Sequence, residues 1–231
     1  MEGKKIISQL GAVSLLVFSV LVSVFTVVNI KSFYIKEYAK NNVEQATGMN
    51  RQDLEKTTQL FLDYLNDKRD DLSLIVTKNG VKEQVFYERE TLHMIDVKAL
   101  YQNAQRTMYL LGGVSLGCYA FLFLKKQDKR EFWQNAKAGY KFSLVLFLLI
   151  AIALGIMFAV DFNRFWIGFH HVFFHNDLWL LDPAESTMIN MLPEELFFSM
   201  CSKILMLFVA LFGLLPRCVY LLTNKFNNTK L

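Results

Sequence analysis

The sequence has 231 residues, of which 53% are hydrophobic and 14% aromatic, and its formal net charge is +4. An ordinary soluble domain contains about 45–50% apolar residues, so this composition argues against a soluble globular protein. The small net charge also argues against a nucleic-acid-binding protein, which needs a strongly basic surface.

The first predicted element is a membrane-spanning helix at residues 1–30. No charged residue lies between Lys5 and Lys31, and about 20 apolar residues suffice to cross about 30 Å of hydrocarbon as a helix. The stretch is long for a secretory signal, and residues 27–30 offer no small-residue cleavage site. We therefore expect a retained anchor.

Residues 31–100 are predicted to fold as a small α+β cap outside the membrane, because charges of both signs alternate there with apolar residues. The pair Asn79-Gly80 stands between two β-prone runs, residues 72–77 and 81–87. An Asn-Gly pair in this setting is the strongest short hairpin signal. We therefore predict a β-hairpin in the cap.

A second span is predicted at residues 101–124 and a third at residues 142–160, since both stretches are apolar and long enough. Asp96 is predicted to cap the helix that leads into the second span. That start would place His93 just above the membrane surface.

The loop at residues 125–141 sets the predicted orientation. It carries six Lys and Arg residues against two acidic ones, whereas residues 161–197 carry one basic and six acidic residues. Because Lys and Arg accumulate in short cytoplasmic loops, the basic loop is predicted to be cytoplasmic. The same rule places both termini in the cytoplasm, and it places the cap and the 161–197 loop on the outer side of the membrane.

The fourth span is predicted at residues 198–223, although Lys203 and Arg217 interrupt it, and residues 224–231 form a cytoplasmic tail. The predicted fold class is thus mainly α and integral to the membrane, with four transmembrane helices and an extracellular α+β cap. The three cysteines fall within predicted spans, which argues against an extracellular disulfide framework.

The 161–197 loop combines aromatic residues with three of the four histidines. Aromatic residues fill seven of the eighteen positions 162–179, and His170, His171 and His175 lie among them. One interpretation is an interfacial aromatic belt that performs no chemistry. Histidine is nevertheless the natural candidate for chemistry, because its unperturbed pKa of about 6.5 allows proton transfer near neutral pH. With His93 in the cap, all four histidines lie outside the cytoplasm.

Two other functions stay open at this point. A metal-dependent hydrolase would use His171 and His175, four residues apart, with His93 as a third ligand, but the sequence contains no HExxH motif. A membrane sensor or assembly factor would use the cap without catalysis, but the cytoplasmic segments are too short for an output domain. Walker, Rossmann, Gly-x-Ser-x-Gly and paired CxxC patterns are missing from the sequence.

Two stretches resemble the bacterial lipoprotein intramolecular transacylase family. The first is the His-x-x-Asp-Val element that begins at His93, and the second is the Phe-His-x-x-Phe-Phe element at residues 169–174, followed by Trp179. The resemblance implies that two histidines perform the catalysis. They correspond to His93 and, from the Phe-His register, to His170, with His171 as the second choice.

The resemblance also implies the reaction and the partner. A diacylglyceryl lipoprotein with a free amino-terminal cysteine would move its sn-2 acyl chain to its own α-amino group, giving the lyso form, with no cofactor or metal. Membrane lipid surrounds the reaction, and the oligomeric state stays open. We further expect a substrate-binding pocket of five aromatic residues, namely Trp166, Phe169, Phe173, Phe174 and Trp179.

Overall fold

A computed structural model of the protein describes residues 2–124 and 129–214. The described elements, in chain order, are α1 (Glu2–Val28), α2 (Lys31–Lys40), α3 (Val43–Thr47), α4 (Arg51–Leu65), β1 (Ile75–Lys78), β2 (Val81–Gln84), α5 (Glu88–Leu124), α6 (Lys129–Val160), α7 (Phe162–Phe173), α8 (Thr187–Met191) and α9 (Glu194–Phe208), which continues as a π-helical turn (Val209–Leu214). The start of the predicted basic loop, the end of the predicted fourth span and the predicted tail lie outside the described residues.

Four helices are long and apolar enough to cross a membrane, namely Glu2–Val28, Glu88–Leu124, Arg130–Val160 and Glu194–Leu214. A two-stranded antiparallel hairpin accompanies them. The predicted fold class, a mainly α membrane protein with four spanning helices and a hairpin, is therefore confirmed. Of the 37 residues of α5, only about 20 are needed to cross the hydrocarbon, so the helix is much longer than a span.

The start of α5 differs from the prediction. The helix begins at Glu88, so Asp96 lies in its third turn and does not cap it. The reason is Glu90, whose Oε2 accepts a hydrogen bond from the backbone N–H of Tyr87 at 2.9 Å. A glutamate at the third helical position that bonds back to the capping residue is half of a capping box, and it fixes the helix start there.

The chain divides into two compact units. We call the first the membrane unit; it comprises Met1–Phe25, Gln105–Ile156 and Lys203–Leu231. Within it, a Cβ at Gly112 would lie 2.9 Å from the ring of Phe18, so the absence of a side chain lets α1 and α5 approach. A Cβ at Gly113 or Gly117 would meet nothing within 4 Å, so Gly112 is the glycine of this stretch that a close helix contact requires.

The second unit, called here the site unit, comprises Thr26–Ala104 and Met157–Ser202. Its core is built from buried residues of α2, α4, the hairpin and α8. The hairpin pairs Lys78 with Val81 across the predicted turn, where Asn79 and Gly80 adopt the positive φ that such a turn requires. Its strands are shorter than predicted, at four residues each.

Candidate active site

The structure brings together two histidines that lie far apart in the sequence. His93 occupies the second turn of α5, and His170 lies in the last turn of α7. Their ring centroids are 5.9 Å apart at an interplanar angle of 35°. The two side chains are only 5% and 4% exposed, respectively. Both belong to the site unit.

Glu90, one turn before His93, joins α5 to the segment that follows α7. Its Oε1 accepts hydrogen bonds from the Ser186 hydroxyl and from the Met188 backbone N–H, each at 2.7 Å. Ser186 is itself the capping residue of α8. One fully buried carboxylate therefore bonds to the N-terminal ends of two helices, where negative charge is favoured.

Two surface contacts also hold α5 against the segment that follows α7. The Arg89 guanidinium donates to the backbone carbonyl of Asp177, and the Asn176 amide donates to the Asp96 carboxylate at 2.9 Å. Asp96, predicted as a helix cap, thus holds the loop after α7 against α5. Because these contacts flank His93 on both sides, they fix its position relative to that loop.

His170 has a defined tautomer. Its Nδ1 lies 2.8 Å from the backbone carbonyl oxygen of Trp166, one helical turn earlier. A carbonyl oxygen only accepts, so Nδ1 carries the proton and Nε2 keeps its lone pair. Burial lowers the pKa of His170, and the nearby His171 lowers it further, while the Trp166 hydrogen bond acts in the opposite direction. His170 therefore presents a neutral, basic nitrogen at neutral pH.

His93 packs edge-on against the ring of Phe174, with centroids 5.1 Å apart. Its Nδ1 is buried and has no hydrogen-bond partner within the described part of the chain. Buried polar atoms are nearly always paired, so an unpaired ring nitrogen beside a second histidine is a mark of a functional site.

The two histidines line a cavity of about 480 Å³ in the site unit. Four of the five predicted aromatic residues also line it, namely Trp166, Phe169, Phe174 and Trp179. Phe173 differs: it is 46% exposed and packs on Phe169, with ring centroids 4.8 Å apart. Phe173 therefore does not line the cavity itself. It packs against Phe169, which does.

Sequence reasoning missed the part of the wall that α5 supplies. Val97 and Leu100 line the cavity with His93, and they stand four and seven residues after it, on the same helix face. This spacing could have identified them. Phe61 and Phe197 also line the cavity, but they lie in distant segments and no sequence pattern links them to the histidines.

The other two histidines lie outside this pair. His171 and His175 are exposed, and the ring of His171 meets that of Trp179 edge-on at 5.2 Å. Within residues 2–124 and 129–214, no group of three or more His, Cys, Asp or Glu side chains is placed to hold a metal ion. The set of His93, His171 and His175, which the metal alternative needs, is therefore not assembled in these ranges.

Four membrane-spanning helices and a buried histidine pair on an aromatic cavity define a membrane-integral protein with a candidate acid–base site. The sequence profile of the family described as lipoprotein intramolecular transacylase Lit matches residues 9–198. The chain belongs to this family. It is accordingly an acyltransferase that acts on lipoproteins, which favours acyl transfer over the sensor and hydrolase alternatives.

Solved structures agree with this assignment at the level of the fold. The membrane-integral lipoprotein intramolecular transacylase Lit from Bacillus cereus superimposes with a TM-score of 0.76 at 22% identity, covering 98% of each chain. A variant of that protein with a histidine replaced by arginine gives 0.76 at 22% identity, covering 99% of this chain and 95% of the other. A histidine-to-alanine variant gives 0.75 at 22% identity, with 98% and 96% covered. A comparison with curated protein sequences gave no match.

Proposed function

We propose that the protein moves the sn-2 acyl chain of a diacylglyceryl lipoprotein to the α-amino group of the lipoprotein's own amino-terminal cysteine. The product is a lyso-form lipoprotein with an amide-linked acyl chain. The observation that carries the proposal is the buried pair of His93 and His170, 5.9 Å apart on an apolar cavity. Membership of the transacylase family supports it.

His170 serves as the general base in this proposal. Its Nε2 has a free lone pair because Nδ1 donates to the Trp166 carbonyl. The cysteine amine has a pKa of about 8, so a usable fraction is neutral at physiological pH. As the amine nitrogen bonds to the ester carbonyl carbon, His170 takes one amine proton.

The same proton completes the reaction. When the bond between the carbonyl carbon and the sn-2 oxygen breaks, the protonated His170 supplies a proton to that oxygen, which leaves as a free hydroxyl. His93 holds the leaving oxygen through its ring N–H. Two charged imidazoles this close would repel each other, so the pair works with at most one positive charge.

The cavity accounts for the orientation that the reaction needs. About 480 Å³ lies within the usual range for small-molecule sites, roughly 300–1,000 Å³. Donor and acceptor belong to one molecule, and effective molarities for well-oriented intramolecular reactions reach about 10⁵–10⁸ M. An apolar wall also excludes water, which disfavours hydrolysis of the ester. Exchange of an ester for a more stable amide runs downhill without a co-substrate.

We also propose the orientation of the chain. The loop at residues 125–141 and both termini face the cytoplasm. The cap at residues 31–100 faces outward, as does the loop at residues 161–197. The support is the excess of Lys and Arg in the 125–141 loop and their scarcity in the 161–197 loop. The histidine pair then meets lipoproteins at the outer face of the membrane.

The experiment measures conversion of a synthetic diacylglyceryl lipopeptide by purified protein in lipid, followed by mass spectrometry with fragmentation that locates the acyl chain. We expect His93→Ala and His170→Ala each to reduce the rate at least 10²-fold, the usual lower size of an acid–base contribution, taken as about 10²–10⁴. The exposed His175 supplies the matched control, and His175→Ala should keep wild-type activity.

Three outcomes would count against the proposal. If the wild-type protein leaves the lipopeptide unchanged, the proposed reaction is refuted. Full activity in either His93→Ala or His170→Ala would refute the two-histidine mechanism. Loss of activity in His171→Ala with full activity in His170→Ala would transfer the base to the neighbouring residue.

A further inference from the structure

Trp179 lies against the proposed base. Its indole stacks on the His170 imidazole, with ring centroids 4.8 Å apart and an interplanar angle of 29°. The side chain is 8% exposed and lines the cavity with both histidines. Its segment is held by a hydrogen bond from the Leu181 N–H to the Trp179 carbonyl at 3.0 Å. The ring therefore packs directly against the proposed base.

The indole N–H of Trp179 has no acceptor in the part of the chain that the structure describes. Its Nε1 is buried and has no hydrogen-bond partner among the residues that the structure describes. Within residues 2–124 and 129–214, three buried side-chain atoms share this property, and two of them, Trp179 Nε1 and His93 Nδ1, belong to residues that line this cavity. Buried donors are rarely left unpaired, and an indole N–H can only donate. A ligand oxygen would supply the acceptor that the described residues do not.

We propose that the Trp179 indole N–H donates a hydrogen bond to the carbonyl oxygen of the ester under attack and stabilises the oxyanion of the tetrahedral intermediate. This inference rests on the proposed acyl transfer. The bond from nitrogen to carbon forms, and the carbonyl π electrons move to the oxygen. They return when the bond to the sn-2 oxygen breaks. Trp179 keeps its proton throughout.

Both histidines have other tasks in the proposed reaction, which leaves the Trp179 N–H available for the oxyanion. The Nδ1 proton of His170 is already donated to the Trp166 carbonyl, and its Nε2 must accept from the amine. His93 serves the leaving oxygen. An indole N–H does not ionise near neutral pH, so it remains a donor while the histidines change charge. Because its ring stacks on the base, a carbonyl attacked by the amine beside His170 lies within its reach.

The experiment separates the N–H from the shape of the ring. Trp179→Phe keeps an aromatic ring against His170 and removes the donor. Incorporation of 3-benzothienylalanine at position 179 keeps the size of the indole and replaces N–H by sulfur, so it tests the donor even where the phenylalanine variant folds poorly. Trp133→Phe in the membrane unit is the matched control. Initial rates with the diacylglyceryl lipopeptide give kcat and KM.

We expect both variants at position 179 to lose about 10²–10³-fold in kcat, the usual effect of removing one oxyanion donor, with KM changed much less. Trp133→Phe should match the wild type. Wild-type kcat in the benzothienylalanine protein would overturn the inference, and so would a loss confined to KM. Either result would leave the proposed function intact if His170→Ala is inactive in the same assay. A wild-type protein that makes no lyso form would instead refute the proposed function.

Discussion

Replacement of Glu90 by glutamine tests the hydrogen bonds that join α5 to the start of α8 beside the histidine pair. The carboxylate is fully buried and accepts three hydrogen bonds, two at Oε1 and one at Oε2. Glutamine has one acceptor oxygen, so its NH₂ must face at least one of these donors. An unpaired buried donor costs about 1–3 kcal/mol, and the remaining bonds lose their charge assistance, which makes a loss of about 3 kcal/mol reasonable.

That loss corresponds to a melting temperature lowered by about 6–12 °C, since 1 kcal/mol shifts Tm by about 2–4 °C in a protein of this size. The assay is thermal unfolding of purified protein in one detergent, followed by intrinsic fluorescence. Glu88→Gln is the matched control, because Glu88 is exposed on the same first turn of α5. Equal melting temperatures for the two variants would refute the structural role assigned to Glu90.

Two further predictions concern the pH profile and the orientation. The pKa of His170 is lowered by burial, so the neutral base persists below pH 6.5. Because the substrate amine has a pKa of about 8, log kcat/KM should fall by about one per pH unit below pH 8 and by about two only once the pH drops through the lower pKa of His170. A change to the steeper slope at or above pH 6.5 would contradict the assignment. In a background with all native cysteines replaced by serine, Lys82→Cys should react with a membrane-impermeant maleimide on intact cells. Gln134→Cys should react only after permeabilisation, and the reverse pattern would invert the proposed topology.

The fold was predictable from sequence where a single local pattern determines the structure. The membrane spans follow from apolar length, and the hairpin follows from Asn79 and Gly80, whose positive φ values the structure shows. The start of α5 was not predictable by the same route. Glu90 fixes the start through the bond that it accepts from the Tyr87 N–H. The Ser or Thr that usually marks a capping box three residues before the glutamate is replaced here by Tyr87, so the sequence signal is missing.

The site was predictable only in part. Aromatic composition indicated a pocket, and Trp166 and Trp179 do line the cavity. Phe173 is one position from Phe174, yet on α7 and its end such neighbours face different directions, so Phe174 is buried and Phe173 is exposed. Composition cannot distinguish them. Phe61 and Phe197 reach the cavity wall through packing between distant segments, which local sequence patterns do not predict.

The choice between His170 and His171 shows how the structure adds to the sequence. Adjacent helical residues point about 100° apart, so only one member of the pair can face the cavity. His170 lines the cavity and is buried, and its Nδ1–H donates a hydrogen bond to the Trp166 carbonyl one turn earlier. His171 is exposed, and its ring meets the edge of Trp179. Burial and the bond to the Trp166 carbonyl together hold the His170 ring in one tautomer, with Nε2 left as its basic nitrogen.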